Sequence, residues 1–120
     1  MNDSKAKKLL YKISDDVERN GIITNTLVAD LKELRPYAVE EQRPLLAKTI
    51  RLLFEHIEEN KGFEIGIPEE EPIEGHEEDL VMDDADEKES LLYLLSLIAE
   101  PDNKANRLDL RAYVAAMQDY

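Results

Sequence analysis

Leu91-Leu92-Tyr93-Leu94-Leu95-Ser96-Leu97-Ile98-Ala99 is the stretch whose reading decides the fold. It is far shorter than the ~18–20 residues of a membrane span. Asp86-Glu87-Lys88-Glu89 before it supplies an acidic first turn with capping-box-like spacing, and Pro101 closes it. A helix that is apolar on nearly every side belongs at the centre of a bundle or in a subunit interface. Both settings select the same residues, so a homodimer through this helix stays open at this stage.

Working outward, the rest of the chain reads as further helices. After Pro101, a helix is predicted from about Arg107 to Gln118, capped by Asn106, with Leu110, Tyr113, Val114 and Met117 inward. At the other end, Ala6, Leu9, Leu10, Ile13 and Val17 recur at helical spacing, predicting a helix from Ser4 to Asn20. Asp3 or Ser4 caps its start, Asn20-Gly21 stops it, and Asp15 and Arg19 form a favourable i,i+4 pair. A second helix is expected from Thr26 to Leu34, with Leu27, Val28, Leu31 and Leu34 on one side and Pro36 ending it. A third carries Leu45, Leu46, Ile50, Leu53, Phe54 and Ile57 and ends near Asn60. It starts either near Val39, with Pro44 as a kink, or near Arg43, where Pro44 fits without strain. No sustained alternation of the kind sheets need occurs, unless it is Phe63–Ile67, and no tandem repeat is evident. The expected fold is all-α: a single-domain bundle of about five helices, three in 1–61 and two in 87–120, with a long acidic connection at 62–86.

That connection holds most of the charge. The 120 residues carry a formal net charge of −13. Residues 1–61 balance and 91–120 are nearly balanced, whereas 62–90 hold 13 acids and one base, Lys88. Gly62, Gly66, Gly75, Pro68 and Pro72 punctuate it against regular structure. Its apolar residues, Phe63, Ile65 and Ile67, then Ile73, Leu80, Val81 and Met82, are expected to dock on the helical body while the acids face water.

Several classes of function are excluded or disfavoured. A chain without cysteine makes no disulfide, thiolate zinc site, iron–sulfur cluster or cysteine nucleophile, and it suits a reducing, cytoplasmic setting. Met1–Lys12 breaks its apolar run after Leu9-Leu10-Tyr11 and does not read as a signal peptide. Direct nucleic-acid binding is not expected without clustered Lys and Arg. GxGxxG, GxxxxGK[ST], HExxH and GxSxG are all missing. Ser4, Ser14, Ser90 and Ser96 have no neighbouring base, and an enzyme is not expected.

His56, beside Glu55 and four residues after Leu52, reads as a surface residue. His76, before Glu77-Glu78-Asp79, could attract a cation only loosely. Two stretches resemble calcium loops in part. Asp16, Glu18, Asn20, Gly21, Ile23 and Thr24 fit, but Leu27 falls where the bidentate Glu is required. In the second, Pro101 and Ala112 occupy the first and last positions around Asn103, Asn106, Leu108 and Asp109. Helix caps explain both equally. A small-ligand or divalent-cation-binding helical protein with degenerate loops of this kind is therefore the alternative; no cofactor is expected.

The acidic segment is the sharper candidate. Glu69, Glu70, Glu71, Glu77, Glu78, Asp79, Asp83 and Asp84 form a negative band suited to a basic protein partner, in the extreme by imitating nucleic-acid phosphates. The plainer alternative is a solvated connection. Lys5, Lys7, Lys8 and Lys12, clustered where positive charge opposes the first helix's own field, offer an intramolecular partner for the same acids. The expected function is a non-enzymatic protein–protein interaction or regulatory module.

Overall fold

The computed structural model describes residues 1–68 and 84–120, of Asp84 the backbone only. These residues form five α-helices: α1 (Ser4–Asn20), α2 (Thr24–Glu40), α3 (Pro44–Asn60), α4 (Asp84–Ala99) and α5 (Lys104–Asp119). No strand occurs among the described residues, and Phe63–Ile67 is irregular.

Helix α1 follows its sequence pattern. Asp3 Oδ1 accepts from the N–H groups of Lys5 (2.8 Å) and Ala6 (3.1 Å), and Gly21 takes φ 75° at the C-cap. Helix α2 departs from it: the helix starts at Thr24 and runs through Pro36 to Glu40. Proline removes one hydrogen bond and crowds the preceding turn. Pro36 stands on the exposed face, where water can serve the freed carbonyl, while Leu34 and Ala38 on the inner face are fully buried. Burial of that face outweighs the broken bond. Arg43 is the N-cap and Pro44 is the first residue of α3, so Val39 belongs to α2.

Helix α4 begins at Asp84, two residues before the predicted acidic turn. Helix α5 begins at Lys104, because Asn103 is the cap: its Oδ1 accepts from Ala105 N (2.8 Å) and Asn106 N (3.4 Å). Asn106 is instead inside the helix, donating Nδ2 to Glu100 O at 2.8 Å.

Short turns reverse the chain between α1 and α2, α2 and α3, and α4 and α5, so consecutive helices alternate in direction. The neighbours form a closed ring in the order α1, α2, α3, α5, α4. One core fills it: Leu10, Ile13 and Val17, Leu31 and Leu34, Ile50, Leu53 and Ile57, Leu94 and Ile98, Leu110 and Tyr113. Leu91, Leu94, Leu95, Leu97 and Ile98 of α4 are at most 1% exposed within the single chain. A seam between copies would have to use other residues of that helix.

The basal end of the ring gathers the start of α1 with the α2–α3 and α4–α5 turns. The Met1 amine donates to Ala99 O (3.3 Å), Asn2 and Asp3 donate to the Glu41 carboxylate, and Arg43 grips Asp102 through two nitrogens, at 2.7 and 3.3 Å. That pairing raises the Arg43 pKa and lowers that of Asp102. The opposite end gathers the C-termini of α1, α3 and α5 with the N-terminus of α4.

Candidate functional site: the root of the acidic segment

Residues 61–68 leave α3 across that opposite end as a strap. Lys61 ends α3 in the left-handed region (φ 59°), its N–H bonding to Ile57 O at 2.8 Å. The strap then bonds to α4, α3 and α4 again at three successive residues. Phe63 N donates to Glu87 Oε1 of α4 (2.9 Å), Glu64 N donates to His56 Nε2 of α3 (3.1 Å), and Ile65 O accepts from Ser90 Oγ of α4 (2.6 Å). Gly62 permits the first of these: a Cβ there would lie 2.8 Å from Glu87 Oε1.

The apolar side chains explain why the strap lies down. Phe63 is fully buried, edge-on to His56 (ring centroids 5.6 Å) and stacked on Tyr113 of α5 (6.2 Å). Ile65 is buried and Ile67 exposed. The expected docking therefore holds for Phe63 and Ile65 and stops there; Ile73, Leu80, Val81 and Met82 lie outside the described residues. Below the strap, Tyr113 Oη donates to Ser90 O and lies 3.0 Å from Ser90 Oγ. Burial pushes the Tyr113 phenol well above its ordinary range. Every buried side-chain nitrogen and oxygen among the described residues has a partner.

His56 is not the surface residue expected. It is 6% exposed, packed between Phe63 and Tyr120, with Asn60 Nδ2 3.3 Å from Nδ1. Burial lowers its pKa, and the carboxylates of Glu64 and Glu59 pull the other way. The signal was present. Thr49, Leu53 and His56 follow a four-then-three spacing on the inner face of α3, and all three are buried. Glu87 and Ser90 carried no signal of this kind, because their partners are irregular backbone more than twenty residues away.

Of the candidate partner-binding acids, Asp84 opens α4. Glu69, Glu70, Glu71, Glu77, Glu78, Asp79 and Asp83 lie outside the described residues, as does His76. Both attachments of the segment are described, and they are joined through Ile65 and Ser90.

Alternating topology also sorts the charge that looked balanced along 1–61. At the strap end, Asp15, Asp16 and Glu18 close α1, Glu55, Glu58 and Glu59 close α3, and Asp86, Glu87 and Glu89 lie in the first turns of α4. Arg19, Lys61 and Lys88 are the bases among them. At the basal end, Lys5, Lys7 and Lys8 of α1, Arg43 and Lys48, and Lys104 and Arg107 offset the acids there. Bases near the start and acids near the end of α1 and α3 run against the field of each helix, at about 0.3–1 kcal/mol per charge. Lys5, Lys7 and Lys8 thus sit at the end remote from the segment's attachments, while Lys12 bonds Asp30 (2.9 Å) and approaches Asp16 (3.6 Å).

The calcium-like loops are helix termini. Asn20 ends α1, Gly21 caps it and Thr24 begins α2; Asn103 caps α5, and Asp109 accepts a hydrogen bond from the Tyr93 hydroxyl. That bond raises the Tyr93 pKa. Among the described residues no group of three His, Asp or Glu side chains is placed to hold a metal ion. No described helix is long and apolar enough to cross a membrane. Comparison with known protein families, curated proteins and solved structures returned no match to this chain.

Proposed function

We propose that this chain is a non-enzymatic interaction or regulatory module of the cytoplasm whose acidic segment binds a protein partner with a basic surface. The binding acids on this reading are Glu69, Glu70, Glu71, Glu77, Glu78, Asp79, Asp83 and Asp84. The observation that carries it is the placement of the segment's attachments at the acid-rich end of the bundle, where α1 and α3 bring more acids despite the unfavourable helix ends. Such a concentration of one sign raises the encounter rate with a basic surface and selects against acidic ones. The helical ring is the rigid base that holds both ends of the segment.

Cross-linking of the intact chain in cells, followed by binding measurements with the recovered partner over a salt series, tests this. Replacing Glu69, Glu70 and Glu71 by Gln is expected to leave the helical circular dichroism unchanged and to weaken binding by about tenfold, three contacts of about 0.5 kcal/mol each, the middle of the range for exposed pairs. Binding unchanged by the triple variant, or independent of salt, would count against the reading. A calcium-dependent rise in melting temperature would favour the cation-binding alternative.

A further inference from the structure

We propose that His56 is a pH-operated latch on the root of the acidic segment: the neutral ring holds the Glu64 backbone amide, and the protonated ring releases it. The inference stands on the bundle and strap alone and does not require the partner proposed above.

The geometry fixes the ring's state. A backbone N–H can only donate, so His56 Nε2, 3.1 Å from Glu64 N, carries the lone pair and the proton sits on Nδ1; Asn60 Nδ2, 3.3 Å from Nδ1, then directs its hydrogen to His56 O at 3.0 Å instead. Protonation of Nε2 sets two donors against each other at that distance, and the bond opens. The cation then has acceptors beside it. The Glu64 carboxylate lies on the same strap residue that lost its amide contact, and Glu59 lies three residues along α3; both favour the charged ring.

Asn60 lines the solvent-facing cleft beside the ring. Glu55 lines the same cleft and is 3.4 Å from Arg51. From α5 come the Tyr120 ring, at 4.8 Å between centroids, and Met117. From α4, Glu87 is engaged by Phe63 N. The cleft, about 220 Å³ between α3 and the end of α5, borders this side of the ring. Burial of the ring opposes its charging, so release requires a pH below the ordinary histidine range.

The two states differ locally. Phe63 and Ile65 keep their bonds to Glu87 and Ser90, so release frees Glu64 without stripping the strap from the core. The latch changes how firmly the chain is held just before it enters the acidic segment.

The test uses the full chain, ¹⁵N-labelled, with His76→Gln so that His56 is the one histidine. The ring proton shifts and the Glu64 amide exchange are followed from about pH 7.5 to about pH 5, with exchange corrected for its intrinsic pH dependence. Glu64 protection is expected to fall by up to about tenfold per pH unit from the free-imidazole pKa, about 6.5, down to the ring's midpoint, and to be lost below it. The amides of Ile13 and Ile50 should stay constant. His56→Gln, which keeps an acceptor that does not titrate, should abolish the pH dependence. Constant Glu64 protection while the ring titrates would overturn the latch. So would a ring still neutral at about pH 5, or a pH response unchanged in His56→Gln. Should that variant fail to fold, the titration of the His76→Gln chain decides alone.

Discussion

Ser90 Oγ donates a 2.6 Å hydrogen bond to the carbonyl of Ile65, joining the two attachments of the acidic segment across 25 positions of sequence. Ser90 is 1% exposed, so removing its hydroxyl strands the Ile65 carbonyl and the Tyr113 hydroxyl with one partner fewer. Ser90→Ala is expected to lower unfolding free energy by ~1–3 kcal/mol, read as a lower urea midpoint at unchanged slope. A midpoint equal to the parent's would show that the strap is not held there.

Pro36 tests the opposite direction. Replacing it by Ala restores an N–H to the middle of α2 without touching the buried stripe. The interior proline costs ~3 kcal/mol, and its stiffening of the unfolded chain recovers up to ~1 kcal/mol, so Pro36→Ala should stabilise by ~2 kcal/mol. Thermal denaturation of the pair measures it. A less stable variant would mean that α2 relies on a bend at that point.

Leu95, 1% exposed in α4, is the site for a test of the core. Leu95→Asp buries a carboxylate without a partner and should unfold the domain, seen as loss of cooperative melting. A variant melting like the parent would remove Leu95 from the core.

The tyrosines set an alkaline limit. Burial raises the Tyr113 pKa, and hydrogen bonding to Asp109 raises that of Tyr93. An acid whose folded pKa lies above its unfolded value stabilises the fold below the unfolded value, about 10 for tyrosine, and loses that contribution as pH climbs beyond it. Stability should therefore hold up to about pH 10 and fall above it. Tyr113→Phe, about 1 kcal/mol weaker near neutrality for its lost hydrogen bond, should fall less steeply. Identical alkaline slopes in parent and variant would contradict this assignment.

Helix positions were legible wherever apolar spacing was regular. Ala6, Leu10, Ile13 and Val17 of α1, Leu27, Val28, Leu31 and Leu34 of α2, and Leu110, Tyr113, Val114 and Met117 of α5 are all buried as their spacing required, and Leu9 is half-buried at the edge of the α1 stripe. Boundaries failed where a local rule met tertiary packing. Pro36 reads as a stop until Ala38 is known to be buried beyond it. Asn106 reads as the cap of the last helix, but Asn103 takes that place by bonding Ala105 N while Asn106 turns to Glu100 O. The candidate site was legible as charge but not as structure. What anchors it, His56, Glu87, Ser90 and Tyr113, comes from three helices and meets on irregular backbone that has no periodicity to read.

The sorting of acids and bases to opposite ends has a consequence for motion in solution. Molecules whose two ends differ in sign possess a permanent moment along their axis, and an external potential exerts a torque on it as well as a force. Approaching a positively charged surface, the bundle turns its strap end forward before any contact forms. Approaching a negatively charged one, it turns the basal lysines forward. Orientation is thus selected over roughly a Debye length, ~8 Å at physiological salt, and the preference fades as ionic strength rises.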